Sequence, residues 1–150
     1  MTNKPAVALR QRALNCLARR EHSRQELGRK LKPFVEEGDD LVALLDDFQK
    51  RGWISDHRFA EMVVHAKSGR YGKLKVAHEL REKGVAEDLV AQAVDALDDV
   101  QSAKMVWQKK YGVHPENREA WAKQARFLQS RGFGFDVIKK VLAATHDDDQ

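Results

Sequence analysis

The side chains able to ligate a metal or attack a carbonyl are few in this chain and poorly spaced for either task. The six histidines, at positions 22, 57, 65, 78, 114 and 146, include no i, i+4 pair and no His-Glu-x-x-His run, the spacings that place two imidazoles on one helical face around zinc. Cys16 stands alone among Ala13, Leu14 and Leu17, where a thiol fills an apolar helix face rather than acting as a nucleophile. There is no Gly-x-Ser-x-Gly elbow and no Walker loop, and Gly132-Phe133-Gly134 reads only as a connector between helices. No catalytic centre, metal or cofactor is expected.

The chemistry that recurs is cationic. Positive charge gathers in three places: Arg19, Arg20, Arg24, Arg29 and Lys30; then Lys67, Arg70, Lys73, Lys75 and Arg81; then Lys109, Lys110, Lys123 and Arg126. Set in a row, such clusters can follow phosphates or an acidic protein wall. Taken singly, each of these residues can equally solvate a helix or complement the C-terminal end of its dipole. Tyr71 and Tyr111 flank two of the clusters and suit either stacking on a partner or packing over a helix end. Trp53, Trp107 and Trp121 are expected to fill seams between structural units.

Helices must position these charges. Apolar residues follow the i, i+3, i+4, i+7 rule at Leu41, Leu44, Leu45 and Phe48 and at Phe59, Met62, Val63 and Ala66, with the same stripe at Val137, Ile138, Val141 and Leu142. No strand-like alternation competes. Punctuation divides the stripes into nine helices, near 6–20, 24–34, 40–51, 56–68, 73–83, 87–98, 99–110, 118–131 and 136–144. Ser23 with Glu26 has the spacing of a capping box, Ser55 or Asp56 can cap the fourth helix, and Asn117 the eighth. Gly52, Gly84 and Gly132 each follow a basic residue, as a left-handed helix cap prefers.

The nine helices group in threes. Asp40-Leu41-Val42, Asp88-Leu89-Val90 and Asp136-Val137-Ile138 recur at intervals of forty-eight residues, and Ala60-Glu61-Met62-Val63-Val64 is echoed forty-three residues on by Ala103-Lys104-Met105-Val106-Trp107. The aspartates are expected to mark the start of each third helix. Arg70-Tyr71-Gly72 lines up with Lys110-Tyr111-Gly112, whereas the first unit departs, with Pro33 where its partners have a basic residue before glycine. Charge follows the same period: residues 1–35 carry +7, 36–55 carry −4, 56–85 carry +3, 86–102 carry −5, 103–140 carry +6 and the remainder −3. The expected architecture is all-α, three tandem three-helix repeats forming an elongated, curved array, with a tail at 1–5, repeats at 6–55, 56–98 and 99–144, and an acidic tail at 145–150. Three units of about 20–25 Å span roughly 60–75 Å, a long surface rather than a pocket.

Composition agrees with a thin core: of 150 residues, 33% are charged and 7% aromatic. No apolar run approaches a membrane span and no signal peptide is visible, so a cytoplasmic monomer is expected.

Trp53-Ile54-Ser55-Asp56-His57-Arg58-Phe59-Ala60, then Gly72, then His78-Glu79-Leu80-Arg81-Glu82-Lys83-Gly84-Val85 together resemble the central signature of the RecX family of recombination regulators. Ser23-Arg24-Gln25-Glu26-Leu27 with Lys30-Leu31 upstream, and Phe127-Leu128-Gln129-Ser130-Arg131-Gly132-Phe133 downstream, extend the resemblance over residues 8–144. It implies three tandem three-helix repeats lying in the helical groove of the RecA filament on single-stranded DNA. There the protein would impede ATP hydrolysis, strand exchange and co-protease function. No catalytic motif is carried over. The contact residues expected on charge alone are Arg20, Arg24, Lys67, Arg70, Tyr71, Lys73, Lys75, Lys109, Lys110, Tyr111, Lys123 and Arg126. A second reading, a nonspecific single- or double-stranded DNA-binding helical module acting without RecA, shares these residues and allows weak direct contact with DNA.

Overall fold

The computed structural model describes residues 7–143, and over these the chain forms helices and no strand. The helices are α1 Leu9–Arg19, α2 Arg24–Leu31, α3 Leu41–Lys50, α4 Asp56–Lys67, α5 Lys73–Glu82, α6 Glu87–Val94, α7 Asp99–Lys110, α8 Arg118–Ser130 and α9 Phe135–Leu142. A 3-10 turn at Lys32–Phe34 continues α2 where Pro33 cannot donate the next helical hydrogen bond. Most bounds fall within two residues of expectation. Three do not: α1 begins at Leu9, α2 ends at Leu31 with the 3-10 turn carrying the chain on to Phe34, and α6 stops at Val94 because the chain turns there to bury Leu97 and let the Asp98 carboxylate cap α7. The two expected tails, 1–5 and 145–150, and the expected helix ends at 6 and 144 lie outside the described residues.

Short polar side chains start the helices. Ser23, Asp40, Ser55, Asp98 and Asn117 each accept a hydrogen bond from the backbone N–H three residues on, at 2.8–3.2 Å. The capping box at Ser23 is only half formed. Ser23 Oγ accepts from the Glu26 N–H at 3.0 Å, but the Glu26 carboxylate turns away to receive both Arg20 guanidinium nitrogens at 3.0 and 2.6 Å.

Each trio of helices closes on its own core. Leu9, Ala13, Leu27, Leu31, Leu45 and Phe48 are buried in the first, and Phe59, Val63, Val76, Leu80, Val85 and Val90 in the second. Ala103, Trp107, Leu128, Phe133, Ile138 and Val141 form the third. The most extensive helix packing is within trios, not between them. The accessible surface of 10238 Å² exceeds the roughly 7,700 Å² of a compact monomer of this mass, in keeping with three small cores in series.

The recurring aspartates all mark helix starts, as expected, but in two registers. Asp88 and Asp136 are the second residues of α6 and α9, so Val90 and Ile138 both point inward. Asp40 instead precedes α3 as its cap, which shifts the helix by two positions and leaves Val42 63% exposed. Leu45 and Phe48 take over the inward face. All three aspartates sit at helix starts, but only the last two are equivalent.

The tryptophans do not fill the seams. Trp107 lies in the third core, its indole N–H donating to buried Gln124 at 2.7 Å, and Trp121 packs against that same core. Trp53 is 41% exposed and rests edge-on against Phe48 of its own repeat. The seams are polar and follow one plan. At the first, Ser23 Oγ, the cap of α2, donates to the Lys83 carbonyl at 2.7 Å, while Asp56 at the start of α4 accepts from the Arg24 N–H at 2.8 Å. At the second, the Gly72 N–H, at the cap position of α5, donates to the Arg131 carbonyl at 2.8 Å, and Asp99 at the start of α7 accepts from the Lys73 N–H at 3.0 and 3.1 Å. Lys83 and Arg131 each precede the left-handed glycine, Gly84 or Gly132, that ends the second helix of the next repeat.

Candidate functional site

The second seam gathers the cations that the sequence scatters over sixty residues. Gly72 has ordinary extended backbone, unlike Gly112 with φ +68°, so the aligned Tyr-Gly pairs are not structural equivalents. What Gly72 supplies is nearness: a Cβ there would collide with the Gly132 carbonyl, and one on Gly132 would strike Lys75. The Leu74 N–H also donates to the Gly132 carbonyl at 3.2 Å. This backbone contact brings the end of α8 against the turn that carries Tyr71.

Tyr71 is thereby ringed by cations from two repeats. Lys75 Nζ lies 4.9 Å from the ring centroid, Lys67 Nζ 5.0 Å, the Arg131 guanidinium 5.4 Å and that of Arg70 5.7 Å. Arg131 also covers Phe127 at 5.2 Å, Lys110 approaches the same ring at 5.7 Å, and Tyr111 meets it edge-on at 5.6 Å. An open cavity of about 610 Å³ beside these rings is lined in part by Arg70, Met105, Lys109, Lys110, Phe127 and Arg131. Each cation gains about 0.5–1 kcal/mol from a ring face at such exposure, which offsets part of the repulsion among them. No carboxylate lies within 4.0 Å of Lys67, Arg70, Lys75, Lys109, Lys110 or Arg131 among the described residues. Among the described residues the seam therefore holds a concentrated positive field whose six cations are not ion-paired.

The other expected contact residues are placed elsewhere. Lys73 secures α5 through its backbone N–H on Asp99. Lys123 and Arg126 are exposed along α8 outside the lining of the cavity. Arg20 and Arg24 belong to the first repeat, where both are neutralised: Arg20 by Glu26, and Arg24 by Asp46 at 2.6 Å with Gln49 at 2.7 Å. The seam adds Phe127, Met105 and Arg131 to the expected set. Arg131 reads in the sequence as the usual cation before a glycine cap, and nothing in the local pattern says that it reaches Tyr71 sixty residues away.

Electrostatics separate the two seams. Glu26, 6% exposed, loses hydration, which by itself raises its pKa, yet the Arg20 hydrogen bonds and the charges of Arg20 and Lys83 prevail and hold it at about 2. Lys83 Nζ, across the seam, is 3.6 Å from the carboxylate. Asp99 moves the other way: burial raises its pKa, and the Lys73 N–H only partly compensates. The first seam is closed by an ion cluster, the second by backbone and an ill-solvated carboxylate.

These features define a tandem three-helix-repeat protein with a charged surface at its second seam. The chain belongs to the RecX family. The family's second three-helix domain matches residues 55–94 and its third matches residues 98–142. The regulatory protein RecX of Chromobacterium violaceum is 43% identical over 142 residues, covering 95% of this chain and 93% of the relative. That of Leptothrix cholodnii is 41% identical over 151 residues, covering 99% and 96%. The crystal structure of RecX from Lactobacillus salivarius superposes with a TM-score of 0.75 at 21% identity, over 90% of this chain and 92% of that one, and so shares the fold.

Proposed function

We propose that this protein regulates recombination by binding the RecA filament on single-stranded DNA along its helical groove, as a cytoplasmic monomer without catalytic chemistry of its own. The observation that carries this reading is the unpaired cation cluster around Tyr71 and Phe127 at the second seam. Lys67, Arg70, Lys75, Lys109, Lys110 and Arg131 offer an acidic groove wall or a phosphate chain several charge-assisted contacts at once. Spread over an array of repeats, such contacts act by avidity and favour an assembled polymer over its free subunits. Occupying the groove would impede ATP hydrolysis, strand exchange and co-protease function. Among the described residues no helix is long and apolar enough to cross a membrane, and none of the aromatic–cation geometry requires a metal or cofactor.

Aromatic rings among free cations also suit bases of single-stranded DNA, so direct DNA binding without RecA is the second reading. One titration separates the two. RecA ATPase on single-stranded DNA is measured while this protein is added far below the amount that coats the DNA alone. Inhibition at substoichiometric protein, weakening with salt, is the expected result. Inhibition that begins only when the DNA is saturated overturns filament binding in favour of competition for DNA.

A further inference from the structure

A second cationic cavity, of about 410 Å³, lies in the first repeat between α1 and α2. Its place matches that of the larger cavity between α7 and α8, but it shares no residue with it. Arg12, Arg19, Arg20 and Lys30 contribute to its walls, with Phe34 and Cys16. Among the described residues Arg12, Arg19 and Lys30 have no carboxylate within 4.0 Å, and Glu26, the partner of the wall residue Arg20, is engaged by Arg20 and Lys83.

The walls are organised rather than merely positive. His22 is 1% exposed, and its Nδ1 lies 3.0 Å from the Arg20 carbonyl, so Nδ1 carries the proton and donates. Nε2 is then an acceptor, and Lys30 Nζ donates to it at 2.9 Å. Burial lowers the His22 pKa, which keeps this acceptor available at neutral pH. One of the ammonium's three protons is thus fixed and its direction set. The Arg12 guanidinium carbon lies over Phe34, 3.9 Å from the ring centroid, yet Phe34 remains 46% exposed. Oriented cations beside a guanidinium–aromatic layer are what a phosphate with an attached planar ring requires.

We infer that the α1–α2 cavity is a nucleotide-phosphate site, with Arg19 and Lys30 binding the phosphate and the Arg12–Phe34 layer receiving the base. This site is independent of filament binding and functions in the isolated protein. The nucleotide is either free or part of a single strand, and the chemistry is common to both.

Cys16, the single cysteine, half-buried in the cavity wall, supplies the readout. Its alkylation by a maleimide is timed in the full-length protein with thymidine monophosphate, with an oligothymidylate, and with a glutamate oligomer at equal ionic strength. At a nucleotide concentration about ten times the dissociation constant, alkylation is expected to slow about tenfold. Protection by the monophosphate assigns a free nucleotide, and protection by the oligonucleotide alone assigns a strand. Arg19→Glu, at an exposed position with no internal partner, is expected to abolish protection with helicity unchanged, and Lys30→Gln to weaken it. Arg70→Glu with Lys109→Glu, in the other cavity, is expected to leave it intact. No protection by either nucleotide, equal protection in Arg19→Glu, or equal protection by the glutamate oligomer overturns the assignment.

Discussion

The two seams between repeats are one joint built twice, and they differ in what happens to charge. In both, the cap position of a second helix donates to the carbonyl that precedes a left-handed glycine in the next repeat. In both, an aspartate at the start of the next first helix accepts from a backbone N–H. The first seam then consumes its cations: Arg20 and Lys83 on Glu26, and Arg58 on Glu21 at 3.0 Å. The second closes on backbone glycines and leaves six cations with no carboxylate within 4.0 Å among the described residues. Ion pairs thus link repeats 1 and 2, whereas the closeness of two glycines joins repeats 2 and 3 without drawing on those six side-chain charges. Geometry that must be rigid and charge that must be free are supplied by different atoms.

Reversal of the free charges is the strongest way to break this contrast. Arg70→Glu with Lys109→Glu and Lys110→Glu is expected to weaken filament binding by about a hundredfold or more. The two new glutamates at the end of α7 should cost only about 0.3–1 kcal/mol each in stability. The measurement is ATPase inhibition beside a urea melt. Undiminished inhibition would remove the second seam from the binding surface.

Glu26→Gln attacks the first seam and is expected to act on stability instead, by about 2–3 kcal/mol, since it leaves Arg20 without its buried partner. The pH dependence follows from a folded pKa of about 2, below the ordinary value of 4.5. The stabilisation is full above the unfolded value and is lost as pH falls from about 4.5 toward 2. Melts of parent and variant should therefore converge over that window. Asp99→Asn at the second seam is the matched control: its carboxylate is held above the ordinary range, so ionisation at neutral pH opposes folding, and the amide oxygen can still accept from Lys73. A change within about 0.5 kcal/mol is expected.

Gly72→Ala should cost about 2 kcal/mol by forcing the Gly132 carbonyl away. It should also raise amide exchange at Leu74, whose N–H reports the seam. The smallest effect is at Tyr71. Tyr71→Phe keeps the ring and is expected to change stability by less than about 0.5 kcal/mol, while Tyr71→Leu removes the face shared by four cations and should cost about 1 kcal/mol. Equal melts for the two variants would show that the ring is only an apolar filler.

The fold was legible because helices are local objects. Stripe spacing and the caps at Ser55 and Asn117 depend on residues a few positions apart. The site was legible in part. Lys67, Arg70, Lys75, Lys109 and Lys110 stand out by charge, but so do Arg20 and Arg24, and no local pattern distinguishes a free cation from a spent one. The forty-eight-residue echo marks three helix starts, but similar triplets carry no information on whether the aspartate lies before the helix, as Asp40 does, or inside it, as Asp88 and Asp136 do.

The sequence by itself therefore determined an all-helical, three-unit chain with basic turns at regular intervals, since each of these follows from near-neighbour chemistry. Tertiary structure alone decided which charges remain available. Arg20 is cancelled because Glu26 turns inward, and Arg131 is recruited because Gly72 and Gly132 lack the Cβ atoms that would keep two backbones apart. An ion pair or a close approach across a seam depends on the positions of both sides at once, and position is what folding supplies.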